Sequence, residues 1–155
     1  MTDTCDILIS GGGIAGLTAA AAFGTAGFKV ICVDPTPPVT DGAAQGADLR
    51  STAMLQPARV LLERAGLWDT LTPFAAPLQV MRIIDAGGAE AEPRVTREFD
   101  ASEISDAPFG WNFPNWLLRR EILARLAQLE NVDFRAGIST TQLFTRTNTA
   151  KVTLS

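Results

Sequence analysis

Residues 6–34 constrain the fold of this chain more than any other stretch. They read DILISGGGIAGLTAAAAFGTAGFKVICVD: a short apolar run, glycines spaced G-x-G-x-x-G, an alanine-rich segment and a second apolar run. A continuous apolar run is typical of a parallel strand covered on both faces. Because alanine is the best helix former, we predict a helix over residues 14–26, with Gly27 just after its end. The stretch therefore predicts a strand–turn–helix–strand unit of α/β type.

The glycines of this turn have separate physical roles. Gly11 permits the tight turn, Gly13 has no Cβ and lets a pyrophosphate approach the backbone, and Gly16 lets the helix pack close to the strand. The N–H groups at the helix start, where Ile14 and Ala15 follow Gly13, favour an anionic group, as does the helix dipole. These residues predict a phosphate-binding turn.

Asp34 ends the second apolar run, where its carboxylate could accept hydrogen bonds from both ribose hydroxyls. An ordinary strand–helix–strand unit does not explain an acid there. Ala20 and Gly27 extend the glycine spacing, and 17 residues separate Gly16 from Asp34. This spacing resembles the extended ADP-binding fingerprint of FAD-dependent oxidoreductases. Those enzymes more often carry Glu at this position, so NAD remains an alternative ligand.

Composition and charge exclude several classes of protein. The 155 residues suffice for one modest domain, and 46% are apolar. A net charge of −4 and the absence of a basic run argue against nucleic-acid binding. No apolar stretch approaches the roughly 20 residues of a membrane span, and no signal-peptide pattern precedes the first strand. We expect a cytoplasmic protein, with peripheral association at a membrane surface left open. Nothing in the sequence specifies an oligomeric state.

The reactive residue types point to chemistry supplied by a cofactor. The chain has no histidine and no tyrosine, so it holds neither a Ser-His-Asp triad nor a His-based zinc site. Cys5 and Cys32 fall in the two predicted strands of the first unit and are expected to be free thiols. We nominate no catalytic residue and no metal ligand, which assigns the chemistry to a bound cofactor.

The rest of the chain predicts further helices and strands. Residues 35–49 form a long loop, which ends just before Arg50. The following helix has Pro57 in its first turn and Gly66 after its end, with Ala58, Leu61, Leu62 and Ala65 on one face. A hairpin is predicted from strands at 78–85 and 95–99 with a turn at 86–89. A second amphipathic helix spans 117–129, and further strands span 131–134, 138–146 and 150–154.

Two other features could belong to a binding site. The aromatic segment PFGWNFPNW at 108–116 is either core packing or the border of a cavity for an apolar or aromatic substrate. Arg119 and Arg120 lie at the predicted start of the second amphipathic helix, where cations oppose the helix dipole. That arrangement favours an anionic partner such as a pyrophosphate. Solvated arginines are the alternative at these positions and at Arg50.

Three segments together resemble one family. They are the glycine-rich unit at 6–34, DLRSTAMLQPARVLLERAGLWDTL at 48–71 and FGWNFPNWLLRREILARL at 109–126. They are similar to the N-terminal part of the FAD-dependent aromatic-ring monooxygenases of the para-hydroxybenzoate hydroxylase type, and most of all to the ubiquinone-biosynthesis (2-polyprenyl-6-methoxyphenol) hydroxylases. The resemblance implies an α/β, Rossmann-like FAD/NAD(P)-binding fold with a parallel sheet and added β-strands. It assigns residues 1–155 to the N-terminal part of an FAD-binding domain, without that family's later Gly-Asp flavin motif and substrate domain.

The resemblance also implies roles for individual residues. Gly11, Gly13 and Gly16 would hold the FAD pyrophosphate, and Asp34 the adenosine ribose. Arg50, in a D-x-R motif, would reach the flavin nucleotide, and Arg120, in R-x-x-L, would contact the cofactor from the other side, with Arg119 as the alternative register.

The activity implied by the resemblance is hydroxylation of a phenolic or quinone-precursor ring, a small-molecule aromatic substrate, with NAD(P)H as co-substrate and O2. Because the later motif is missing, we expect this piece to hold the ADP half of FAD better than the flavin half and to be inactive. The alternatives are another FAD-dependent oxidoreductase and a non-catalytic dinucleotide-binding module.

Overall fold

The computed structural model describes residues 2–88 and 92–155. Its elements follow one another as β1 (Ile7–Ser10), α1 (Ile14–Thr25), β2 (Val30–Asp34), β3 (Ser51–Leu55), α2 (Gln56–Arg64), α3 (Trp68–Leu71), β4 (Ala76–Pro77), β5 (Val80–Ala86), β6 (Pro93–Asp100), β7 (Gly110–Pro114), α4 (Asn115–Leu126), β8 (Val132–Ala136), β9 (Thr140–Thr145) and β10 (Ala150–Leu154). Short 3-10 turns follow α3 and β6.

A three-stranded parallel sheet carries the first unit. Its order is β1-β2-β8, so that β2 lies in the centre, with Val30 opposite Ile7 on one side and Val132 on the other. The first four residues of β2 are buried, as expected of an apolar strand covered on both faces. Helix α1 ends at Thr25, and Gly27 has φ +91°, a conformation that favours glycine. The predicted α/β fold class and the strand–helix–strand unit are confirmed.

The added strands are antiparallel. Strand β7 pairs with β3 and β4 in a second sheet, while β5–β6 and β9–β10 form two hairpins. The β5–β6 hairpin and the two strands of the β9–β10 hairpin are predicted from the sequence. The predicted turn at 86–89 includes residue 89, which lies outside the described residues. Strand β3 is not predicted from the sequence. Its short mixed run leads directly into α2, and its partner β7 lies more than fifty residues further on, so no local signal marks it.

The hydrophobic core lies between the helices and the parallel sheet. Its fully buried members include Leu17 of α1, Leu62 of α2, Phe113 of β7 and Ile122 of α4. Leu61, predicted on the buried face of α2, is instead 46% exposed. Helix α4 begins at Asn115 and ends at Leu126, whereas the sequence predicts a helix over 117–129. Pro114 is the N-cap residue and Ala127 is the C-cap residue, so the helix starts two residues earlier and ends three residues earlier than predicted.

The aromatic segment contributes to this core. Phe113 is fully buried, and Trp111 and Trp116 pack against the core while remaining partly exposed. The rings of Trp68 and Trp111 lie edge to face with centroids 5.0 Å apart, a favourable aromatic geometry. The packing interpretation therefore holds for this segment.

The two cysteines are free thiols in different settings. Cys32 is buried in β2, whereas Cys5 lies two residues before β1 and not within a strand as predicted. Within the described part of the chain, no helix combines the length and apolar character needed to cross a bilayer.

Candidate functional site

The glycine turn joins the carboxyl end of β1 to the start of α1. Gly11 has φ +121°, and its N–H donates to the Val33 carbonyl at 2.8 Å, which ties the turn to β2. A Cβ on Gly16 would lie 1.9 Å from the Gly11 carbonyl oxygen, so no larger residue fits there. The packing role predicted for Gly16 is therefore confirmed.

The start of α1 is open to a ligand. Gly13 caps the helix, and the Leu17 N–H is the first to bond back, to the Gly13 carbonyl at 2.9 Å. The N–H groups of Ile14, Ala15 and Gly16 therefore have no partner within the helix. A Cβ built on Gly13 would meet nothing within 4 Å. This free space beside unpaired N–H groups and the positive end of the helix dipole fits a pyrophosphate.

Asp34 lies at the end of β2 and is held against the same turn. Its Oδ2 accepts a hydrogen bond from the Gly12 N–H at 2.6 Å, and its Oδ1 accepts one from the Thr36 N–H at 2.8 Å. Because a carboxylate has about four lone-pair positions, both oxygens can still accept a bond from a hydroxyl. The carboxylate is thus fixed next to the turn and retains the capacity to bind a ribose.

Two residues that sequence reasoning did not select complete this arrangement. A Cβ on Gly12 would lie 2.8 Å from the Asp34 Cβ and 2.9 Å from Cε2 of Phe134, so Gly12 lets the turn rest on both side chains. The GGG triplet, of which Gly12 is the middle residue, could have indicated it. No local signal indicates Phe134, which reaches the turn from β8.

Arg50 lies just before β3 and forms a forked ion pair with Asp48. Its Nε and Nη2 donate to the two carboxylate oxygens of Asp48 at 2.8 and 2.9 Å. The Arg50 side chain is 83% exposed, whereas that of Asp48 is only 12% exposed. The carboxylate is therefore the anchored partner, and the guanidinium extends from it toward solvent.

The anchoring of Asp48 comes from α4 and β3. Asn115, the nearly buried first residue of α4, donates from Nδ2 to Asp48 at 3.0 Å and accepts from the Thr52 hydroxyl at 2.6 Å. The Asn115 N–H also donates to the Arg50 carbonyl at 2.8 Å. Hydrogen bonds from Arg50 and Asn115 hold the pKa of the Asp48 carboxyl well below its usual value, so this group stays ionised at neutral pH.

Two adjacent arginines of α4, Arg119 and Arg120, have different surroundings. Nη2 of Arg119 lies 3.5 Å from Asp48, so this residue shares the carboxylate with Arg50. Arg120 instead lies over the rings of Phe74 and Trp116, and its Nε donates to Glu121 at 2.8 Å. Because α4 begins at Asn115, both arginines lie in its second turn and not at its start. The structure thus brings Arg119 together with Arg50, and places Arg120 on an aromatic surface.

A separate groove among the described residues lies away from the glycine turn. This groove of about 500 Å³, lined by residues such as Asp6, Lys29 and Asn131, opens where the parallel strands begin. The glycine turn and Asp34 lie at the opposite, carboxyl edge. Ligands of open α/β sheets bind outside the carboxyl ends of the strands, so the motif and not the concavity marks the candidate site.

A parallel sheet, a glycine turn at a helix N-terminus and an acid ending the second strand define a dinucleotide-binding fold. Comparison with known proteins specifies the class further, since residues 6–57 match the family model of the FAD binding domain.

Two relatives and one solved structure agree with this class. The chain is 33% identical over 150 residues to the ubiquinone hydroxylase UbiL of Rhodospirillum rubrum, covering 97% of this chain and 33% of that protein. It is 31% identical over 140 residues to a 3-(3-hydroxy-phenyl)propionate/3-hydroxycinnamic acid hydroxylase of Mycolicibacterium gilvum, covering 85% of this chain and 21% of the relative. The flavin-dependent monooxygenase PieE, solved in complex with FAD and substrate, shares the fold with a TM-score of 0.75 at 20% identity, over 100% of this chain and 28% of PieE.

The chain thus spans about a third or less of the length of the relatives it matches. Over that part it is homologous to FAD-dependent hydroxylases and corresponds to their FAD-binding portion. The predicted resemblance is confirmed at this level.

Proposed function

We propose that this chain binds FAD through the glycine turn and Asp34, and that it is part of a cytoplasmic hydroxylase of phenolic or quinone-precursor rings that uses NAD(P)H and O2. The observation that carries the proposal is the open space at Gly13 beside the unpaired N–H groups of α1, with the fixed carboxylate of Asp34 close to the same turn. The homology to ubiquinone hydroxylase UbiL supports the ring chemistry.

In this proposal each group of residues has a defined part. The N–H groups of Ile14, Ala15 and Gly16 hold the pyrophosphate, and Gly11 and Gly13 give it access to the backbone. Asp34 accepts hydrogen bonds from the adenosine ribose. The flavin, when bound, supplies the redox chemistry, whereas the residues described here bind and orient it.

The arginines complete the proposed cofactor site. Arg50 contacts the flavin nucleotide, for which its exposed guanidinium is available. Arg120 contacts the cofactor from α4, and its stacking on Phe74 and Trp116 holds a cation at that surface. Arg119 is the alternative, supported by its position beside the carboxylate that also holds Arg50.

Calorimetric titration of the purified chain with FAD, ADP and NAD tests the ligand. We expect FAD to bind more tightly than NAD, and ADP to compete with FAD for one site. Tighter binding of NAD than of FAD would contradict the proposal and favour the non-catalytic dinucleotide-binding module. Activity is tested separately, by NAD(P)H-dependent hydroxylation of phenols with a full-length protein that contains this chain.

A further inference from the structure

Asp48 and its neighbours form a hydrogen-bonded cluster outside the glycine turn. We call Asp48, Arg50, Thr52, Asn115 and Arg119 the Asp48 cluster. Its hydrogen bonds run in one direction, from the Thr52 hydroxyl to the Asn115 amide and from that amide to the Asp48 carboxylate, which then receives the Arg50 fork. Every link from Thr52 to Asp48 is at least partly buried, and only the guanidinium of Arg50 extends far into solvent.

Exposed ion pairs usually stabilise a protein little, because holding two long side chains in one geometry costs entropy. This pair differs, because one partner is already fixed. The Asp48 carboxylate is held by Asn115, and the backbone of Arg50 is fixed by its own hydrogen bonds to Asn115 and Asp48. The entropy of ordering the Arg50 guanidinium is therefore lost on folding and not on ligand binding.

The Arg50 guanidinium keeps donors for a ligand. It has five N–H groups, of which the Asp48 fork uses one on Nε and one on Nη2. The other three have no hydrogen-bond partner among the described residues, and the Arg50 side chain is 83% exposed. The two guanidiniums and one carboxylate of the cluster carry one net positive charge. This charge attracts an anionic ligand and strengthens hydrogen bonds from the free N–H groups to its oxygens.

We propose that Asp48 is a positioning residue for FAD: it fixes the Arg50 guanidinium so that its free N–H groups donate to the flavin-nucleotide half of the cofactor. This inference rests on the proposed function and assigns Asp48 no direct contact with FAD. It makes the effect of Asp48 depend on Arg50 and specific to FAD over ADP, since ADP lacks the flavin-nucleotide half.

The test is a double-mutant cycle with Asp48→Asn, Arg50→Ala and the double variant, titrated with FAD and with ADP. Asparagine keeps the shape of Asp48 but loses the charge and one acceptor. We expect Asp48→Asn to weaken FAD binding about fivefold and to leave ADP affinity unchanged. In the Arg50→Ala background the same change should have no further effect. Arg50→Lys, which retains charge but not the fork, should bind FAD as weakly as Asp48→Asn.

Asp41→Asn is the matched control, because Asp41 lies in the same loop and its carboxylate accepts the Ala43 N–H. It removes one negative charge but keeps an amide oxygen that can accept the Ala43 N–H, and FAD affinity should not change. The inference is overturned if Asp48→Asn leaves FAD affinity unchanged or increases it, if it weakens ADP equally, or if its effect adds to that of Arg50→Ala. Failure of the wild-type chain to bind either ligand would instead refute the proposed function.

Discussion

The glycine turn and the Asp48 cluster offer a ligand two kinds of donor. At the turn the donors are backbone N–H groups, placed by residues that lie within one stretch of 29 residues. In the cluster the donors are side chains, and they come from Arg50, just before β3, and from Arg119 in α4, more than sixty residues apart. The turn is therefore fixed by the absence of side chains, and the cluster by hydrogen bonds between them.

This difference predicts different responses to mutation. A residue of the turn tolerates no added atoms where the backbone is close-packed, and tolerates them freely where the ligand would lie. A residue of the cluster can be shortened without a clash, because shortening removes atoms and its main consequence is a lost hydrogen bond. Mutations in the turn should therefore separate cleanly into folding and binding effects, while those in the cluster should give small, mutually dependent effects.

The largest effect is expected at Gly16. In Gly16→Ala the new Cβ would lie 1.9 Å from the Gly11 carbonyl oxygen, so α1 must move away from β1. Overpacking of this kind costs about 3 kcal/mol, or about 6–12 °C in Tm for a chain of this size. Thermal unfolding followed by circular dichroism measures it. A Tm within 2 °C of the wild type would show that the turn is less rigid than the comparison requires.

Gly13→Val lies in the same turn but should impair ligand binding and leave stability nearly unchanged, whereas Gly16→Ala should impair stability. Gly13 has φ −71° and open space around its Cβ position, so valine fits the free protein. It would occupy the space of the pyrophosphate, and losing one or two charge-assisted hydrogen bonds weakens ADP about 100-fold. Tm should change by less than about 3 °C. Unchanged ADP affinity in the folded variant would make this turn purely structural.

Asp34 links the turn to the ribose and should have an intermediate effect. In Asp34→Asn the amide nitrogen must face the N–H of either Gly12 or Thr36, so one acceptor is lost. We expect ADP to bind about tenfold more weakly. Comparing ADP with 2′-deoxy-ADP isolates the ribose contact: the wild type should prefer ADP, and the variant should not. An equal preference in both proteins would mean that Asp34 stabilises the glycine turn and does not bind the ribose.

These contrasts also explain how far the sequence could be interpreted. The glycine spacing, the alanine-rich helix and Asp34 are local signals, and the structure confirms the unit they predict. Gly12 had a weak signal in the GGG triplet. Phe134 had none, because its contact with the turn depends on the pairing of β8 with β2.

The Asp48 cluster could not be predicted from local sequence patterns either, because its hydrogen bonds also join residues that lie far apart in the chain. Arg50, Arg119 and Arg120 could be selected as arginines near helix starts, but their partners could not. The predicted start of α4 was two residues late, so Asn115 was not recognised as the helix residue that anchors Asp48. Which of two adjacent arginines reaches Asp48 depends on the rotation of α4, and a prediction of helix boundaries does not specify that rotation.

The smallest effect concerns Cys32. It tests whether water reaches the interior of the parallel sheet that carries the glycine turn. Burial raises the pKa of the Cys32 thiol to about 11, with the Asp34 carboxylate contributing, against 9.0 for an unperturbed thiol. The folded state therefore retains the proton more strongly than the unfolded chain, and stability falls as pH rises from 9 towards 11, by about 1 kcal/mol at pH 10. At pH 8 a thiol reagent should modify the partly exposed Cys5 quickly and Cys32 only after unfolding. Cys5→Ala leaves Cys32 as the single thiol. Rapid labelling of that folded variant at pH 8 would mean that water reaches the centre of the sheet. The unit that carries the glycine turn would then be no more rigid than the Asp48 cluster.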